Sequence, residues 1–91
     1  MPTFDQLRIF LAVVETGSFA GAGRKLNRAV SVISYGVANL EAQLGLSLFD
    51  REGTRRSKLT VAGRAVLAEA RAVSQGIDGL RAKVKGLLDG L

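Results

Sequence analysis

The segment from Gly17 to Gly45 carries two short helical patterns, which are separated by a tight, polar and basic break. The apolar residues of the first pattern share one stripe: Phe19, Ala22 and Leu26. Those of the second do the same: Ile33, Val37, Leu40 and Leu44. Three-and-four spacing is typical of a helix that buries one face. Because only Asn27 and Arg28 lie between the patterns, a tight turn has to join them, which is the outline of a helix-turn-helix.

The charge around this break favours a polyanion as the binding partner. No acidic residue occurs between Thr16 and Leu40, whereas Arg24, Lys25 and Arg28 flank the turn. The chain carries 13 basic and 8 acidic residues, a net charge of +5, most of it on residues 1–65. The second helix of a helix-turn-helix can lie in the major groove, so the sequence predicts double-stranded DNA as the partner.

Several function classes are excluded by composition. The chain contains neither cysteine nor histidine, so it has no disulfide, no thiolate or imidazole catalyst and no ordinary zinc site. We expect no cofactor, no metal and no enzymatic activity. No apolar run approaches the roughly 20 residues that span a bilayer, and no secretory signal is visible. We therefore expect a cytoplasmic protein that does not contact a membrane.

Capping signals mark where the helices begin. Thr3 followed by Gln6 fits a capping box that opens a first helix. Ser18 is a strong N-cap candidate for the second helix, which extends to about Leu26. The third helix is predicted to begin near Ala29 to Ser31 and to end at Gly45, a residue suited to a helix C-terminus.

The predicted fold class is mainly α: a winged helix-turn-helix followed by a long linker and dimerisation helix. Residues 1–59 form the first unit, with three helices and a short β-hairpin wing. The wing's two strands lie around Leu48 and Leu59 and enclose a basic loop. Residues 60–91 form the second unit, a helix that Thr60 caps and that no proline interrupts.

The long helix carries apolar residues at alternating spacings of four and three. The predicted dimerisation residues are Val66, Ala70, Val73, Ile77, Leu80, Val84 and Leu87, and Leu91 continues the stripe. A repeat of 3.5 residues indicates a coiled-coil-like seam. Such a helix packs either on a second copy or back on its own domain. We favour a homodimer, because the winged unit is too small to cover so long a stripe.

A series of short motifs resembles the N-terminal domain of LysR-type transcriptional regulators. They are Leu7-Arg8-x-Phe10, Glu15-x-Gly17-Ser18-Phe19, Ala22, Leu26, Ser34, Leu40-Glu41, Leu44-Gly45, Leu48-Phe49-x-Arg51 and Leu59-Thr60-x-Ala62-Gly63. The resemblance implies that the third helix reads operator DNA and that the linker helices pair in an antiparallel dimer. It also implies that the family's effector-binding domain is absent here. This fragment is then not expected to bind a small-molecule effector, and a full-length protein could form higher oligomers.

The sequence departs from that family where its third helix begins. The usual start is Ser/Thr-Gln-Pro/Ser, and here it is Ala29-Val30-Ser31. Ala29 removes an N-cap hydroxyl, a loss of about 1 kcal/mol unless a neighbour such as Ser31 compensates. Val30 replaces an amide and can at most touch a thymine methyl group. Gly21 and Gly23 stand where alanines are usual, which weakens helix propensity.

Hydroxyl, amide and cationic side chains around the third helix and the wing form the candidate DNA interface. On a helical wheel Ser31, Tyr35 and Asn39 point away from the buried stripe, with Ser34 on the flank. By resemblance, Ser34 matches a DNA-contacting position, and Tyr35 one where a polar or basic reader is common. The predicted DNA-contacting residues are Arg28, Ser31, Ser34, Tyr35, Asn39, Arg51, Arg55, Arg56 and Lys58. The alternative for each is a solvated surface residue.

The function predicted from the sequence is sequence-specific binding of duplex DNA, as the DNA-binding domain of a dimeric bacterial transcriptional regulator. The alternative is a winged-helix module for protein interaction or dimerisation that binds no nucleic acid. The basic wing and the acid-free third helix argue against that alternative.

Overall fold

The computed structural model describes residues 1–50 and 58–91. That part of the chain contains four helices: α1 (Phe4–Thr16), α2 (Phe19–Leu26), α3 (Val30–Leu44) and α4 (Val61–Asp89). The mainly α fold and the order of its helices are therefore confirmed. Three predicted DNA-contacting residues, Arg51, Arg55 and Arg56, lie outside the described residues.

The helices begin where the capping signals predicted. The Gln6 amide donates to Oγ1 of Thr3 at 3.1 Å, and the Thr3 amide donates to Oε1 of Gln6 at 2.9 Å, which completes the capping box. The hydroxyl of Ser18 accepts the Gly21 amide at 2.8 Å. Ala29 precedes α3 without any side-chain cap, so Ser31 does not compensate for the missing hydroxyl.

The core lies between α1, α2 and α3 and continues under the segment that follows α3. Its largest fully buried side chains are Phe10, Ile33, Leu40, Leu48 and Val13. The ring of Phe49 contacts the rings of Phe10 and Phe19 edge to face, with centroids 5.5 and 5.7 Å apart. Aromatic pairs of this geometry stabilise a core beyond the area that they bury, so the chain after α3 is anchored before residue 51.

The β-hairpin wing is not confirmed, since no strand occurs within residues 1–50 and 58–91. An isolated antiparallel bridge joins Phe49 to Leu59. The Asp50 amide donates to the Lys58 carbonyl at 2.7 Å, and the Thr60 amide donates to the Leu48 carbonyl at 3.0 Å. The two sides of the predicted hairpin thus meet at its base, and the wing itself stays a prediction.

The first turns of α4 belong to the core of the helix-turn-helix. Leu67 and Ala70 are buried there, so residues of the predicted second unit complete the core of the first. A Cβ on Gly63 would lie 2.1 Å from the Leu48 carbonyl oxygen. Only glycine allows this approach without displacing backbone. No helix in the described part of the chain is long and apolar enough to cross a membrane.

Candidate nucleic-acid interface

The turn between α2 and α3 is closed by a left-handed residue and a glycine. Asn27 has φ 56° and ψ 51°, a conformation that asparagine tolerates better than most residues. The Arg28 amide donates to the Gly23 carbonyl at 2.8 Å. A Cβ on Gly23 would lie 2.7 Å from the Arg28 carbonyl oxygen. Gly23 therefore has a packing role that its low helix propensity did not reveal: it lets the turn fold tightly onto α2.

One face of α3 is held in the core and the opposite face is open to solvent. Ile33, Val37 and Leu40 are buried, as predicted. Ser31 and Ser34 are exposed, and the Tyr35 side chain is 71% exposed. Asn39 is only half-buried, near the flank of the same face. Hydroxyl and amide groups on an open helix face can bond to base edges or phosphates.

Arg28 forms an ion pair with the beginning of α1. Its Nη1 donates to Oδ2 of Asp5 and its Nη2 to Oδ1, both at 2.8 Å. These hydrogen bonds, together with the charge of the guanidinium, hold the pKa of the Asp5 carboxyl below its usual value. The same hydrogen bonds raise the pKa of Arg28. The predicted phosphate contact is thus engaged with an acid of its own domain.

The other cations near the turn differ in how they are paired. Nζ of Lys25 bonds to Oε2 of Glu15 on α1. Arg24 is exposed and takes part in none of the ion pairs found within residues 1–50 and 58–91. Arg24, Asn27, Arg28, Ala29 and Val30 line one groove at the turn. Arg24 is therefore the cation of this groove that is most available to an incoming phosphate, and Lys58 is also exposed.

A buried acid ties α3 to the base of the predicted wing. Oε2 of Glu41 accepts the Leu48 amide at 2.7 Å and the Phe49 amide at 3.4 Å. Glu41 is 7% exposed, and it satisfies amides that the change of direction after α3 would otherwise leave without partners. Sequence reasoning missed Asp5, for which no local pattern indicates a partner 23 residues away.

The predicted dimerisation residues fall into two groups along α4. Val66 packs against the core and Ala70 is part of it, so their own domain covers both. Beyond them, Val73, Leu80, Val84 and Leu87 are exposed, and Ile77 is half-buried. The apolar face that is open to a second copy therefore begins at Val73. Dimerisation through it stays a prediction.

Known proteins resemble this chain in both sequence and fold. Residues 4–64 match the family described as bacterial regulatory helix-turn-helix protein, lysR family. The transcriptional activator AllS of Klebsiella pneumoniae is 40% identical over 87 residues, which cover 96% of this chain and 32% of AllS. A probable hydrogen peroxide-inducible genes activator of Mycobacterium xenopi is 41% identical over 90 residues, 99% of this chain and 47% of that protein. The chain thus spans less than half the length of these two curated relatives.

Solved structures agree with the sequence matches. The BenM DNA-binding domain in complex with benA site 1 DNA superposes with a TM-score of 0.88 at 34% identity, covering 98% of this chain and 99% of that one. Full-length LysG of Corynebacterium glutamicum superposes with a TM-score of 0.86 at 30% identity, and the match covers 100% of this chain and 31% of LysG. With its turn, its open α3 face and these matches, the chain belongs to the LysR family of bacterial regulators and is a helix-turn-helix DNA-binding domain of that family.

Proposed function

We propose that this domain binds duplex DNA sequence-specifically through α3, as the DNA-reading part of a dimeric transcriptional regulator. The observation that carries the proposal is the open face of α3, which presents hydroxyl groups and no charged side chain from Val30 to Leu40. Exposed Arg24 stands beside it to contact a phosphate. The similar BenM domain was crystallised with DNA, which supports DNA as the partner of this domain.

The exposed part of α4 supports a homodimer as the form that binds. Leu80 and Leu87 are each 62% exposed, and burying a large apolar side chain stabilises by roughly 1.5–3 kcal/mol. Two copies joined along this face would present two α3 helices to two half-sites. A regulator that reads chromosomal operators acts in the bacterial cytoplasm, and we assign no catalytic activity to the domain.

Selection of bound sequences from random duplex DNA tests the proposal and yields the operator. Affinity for that operator should then fall as salt rises. Six or so neutralised phosphates per dimer give a log–log slope of about −5. Enrichment of no sequence would refute sequence-specific binding. If the protein nevertheless formed a dimer, the interaction module would become the better description.

The two arginines at the turn sharpen this titration. Arg24→Ala should weaken binding to all sequences alike and reduce the magnitude of the salt slope by about 1 per protomer. The matched control, Arg28→Gln with Asp5→Asn, removes a cation together with its acid partner. This double variant should leave the slope unchanged. An equal reduction in both variants would mean that Arg28 leaves Asp5 for a phosphate when DNA binds.

A further inference from the structure

The first turn of α3 exposes two valines near the hydroxyl groups of Ser31 and Ser34. Val30 is 47% exposed and Val32 is 46% exposed. A single exposed valine is ordinary on a protein surface. A role for Val30 in binding therefore depends on its position and on the chemistry of its neighbours.

Val30 lies next to Gly23 of α2. A Cβ on Gly23 would lie 3.7 Å from Cγ2 of Val30, so this methyl group packs over the glycine. Valine in a helix has one strongly preferred rotamer, and the exposed remainder of the side chain therefore keeps one orientation. It lies at the edge of the groove that also contains Arg24 and Arg28. Ser34 follows one helical turn later on the same side.

The residues around Val30 leave few ways of reading a base. Guanine is most often read by arginine or lysine, and adenine by asparagine or glutamine. None of these four residue types occurs from Val30 to Val37, the first two turns of α3. The side chains there are serine and tyrosine hydroxyls and apolar groups. Among the base edges of the major groove, only thymine presents a methyl group for an apolar contact.

We propose that Val30 reads the 5-methyl group of a thymine in each operator half-site. The assignment rests on the DNA binding proposed above and makes Val30 a residue that determines sequence preference. Its contribution is the exclusion of water from two methyl-bearing surfaces, so it does not depend on a hydrogen bond. It should be comparable to burial of one methylene group, which corresponds to about a three- to fourfold change in affinity.

Val32 is a matched control on the same turn. It has the same side chain and nearly the same exposure, but it lies about 200° around the helix from Val30. Gly36, one turn beyond Val32, faces α1, because a Cβ there would lie 2.7 Å from Cδ1 of Ile9. Val32 thus sits on the flank toward α1, away from the groove at the turn. Alanine has the higher helix propensity, so neither Val→Ala change should unfold α3.

The experiment couples loss of the valine to loss of the methyl group. Each thymine of the selected operator is replaced in turn by deoxyuridine, which removes only the 5-methyl group. Fluorescence anisotropy then measures the affinity of the wild-type protein, Val30→Ala and Val32→Ala for each duplex. We expect one thymine per half-site where deoxyuridine lowers the affinity of the wild type and of Val32→Ala about three- to fourfold, but lowers that of Val30→Ala clearly less.

The outcomes separate this inference from the proposed function. A selection that enriches no sequence would remove both. A well-defined operator at which no deoxyuridine effect depends on Val30 would overturn the thymine assignment and leave DNA binding intact. Coupling to Val32 instead would show that the other flank of α3 enters the groove, and would overturn it as well. Circular dichroism of both variants confirms that the comparison concerns folded proteins.

Discussion

The beginning and the far end of α4 carry the same apolar repeat, but the beginning is buried and the far end is exposed. The beginning of α4 belongs to the core region, which we define as residues 4–50 with 58–70. We call residues 71–91 the distal helix. Ala70, the last stripe residue of the core region, is 2% exposed, whereas Leu80 in the distal helix is 62% exposed. A periodic apolar stripe therefore predicts that one helix face packs against something, but it does not identify the partner. Cover by the same domain ends within about one helical turn, between Ala70 and Val73, which is 45% exposed.

The largest expected effect is on stability, and it comes from making the same change, glycine to alanine, once in the core region and once in the distal helix. Gly63→Ala would place a Cβ 2.1 Å from the Leu48 carbonyl oxygen. Because the backbone has to move, we expect the free energy of unfolding to fall by about 3 kcal/mol or more. Gly79→Ala meets nothing within 4 Å and should stabilise the helix by about 1 kcal/mol. Urea denaturation measures both. Equal effects of the two changes would contradict the packing described for Gly63.

The second prediction concerns the distal helix alone. Ile77→Asp with Leu80→Asp should dissociate the dimer and weaken operator binding, since each buried large side chain is worth roughly 1.5–3 kcal/mol. The domain should stay folded, because both residues lie beyond the core. Gln75→Asp with Ala82→Asp adds the same charge to exposed positions off the stripe. Light scattering should find that control dimeric. A dimer in both variants would place the interface elsewhere.

The third prediction concerns the core region, where a substitution should change DNA binding and leave the dimer intact. Tyr35→Ala should cost about 1–3 kcal/mol at the selected operator and relax the preference at one base position. It should leave the dimer unchanged, because Tyr35 lies on the open face of α3. Binding to the operator and to unrelated duplex is compared by anisotropy. An unchanged preference would show that this face does not read bases.

The smallest effect tests the link between α1 and the turn. The pKa of Asp5 is lowered by Arg28 in the folded state. The carboxylate therefore contributes stability above the pKa of about 3.9 that aspartate has when unfolded, and this contribution is lost as the pH falls through the lower folded value. Asp5→Asn should reduce the unfolding free energy at pH 7 and flatten its decline below about pH 4. Asp78→Asn, which removes an exposed carboxylate of α4, should do neither.

Local signals were sufficient to predict where the helices begin. Thr3, Ser18 and Thr60 each cap a helix by accepting an amide three residues later, an interaction that depends on a few neighbouring residues. The open and buried faces of α3 also followed from its periodicity. The same pattern correctly separated Ile33 from Tyr35, because a helix repeats its faces every 3.6 residues.

Contacts between distant segments could not be predicted in this way. The pairing of Arg28 with Asp5 spans 23 residues and appears in the sequence only as two unrelated charges. Gly63 looked like a motif residue, and its close approach to Leu48 exists only once α4 has docked. The stripe on α4 was predicted as one interface because its period is the same whether its partner is internal or external.

Thr60 fixes the beginning of α4 on the helix-turn-helix. Its hydroxyl donates to the Ser47 carbonyl at 2.6 Å and accepts the Gly63 amide at 2.8 Å, while Leu67 and Ala70 fix the next turns. The 29-residue helix α4 is continuous from its base to its far end. At 1.5 Å per residue the helix is a stiff lever roughly 43 Å long. A pivot of about 10° at the far end would carry α3 through roughly 7 Å, the rise of about two base pairs.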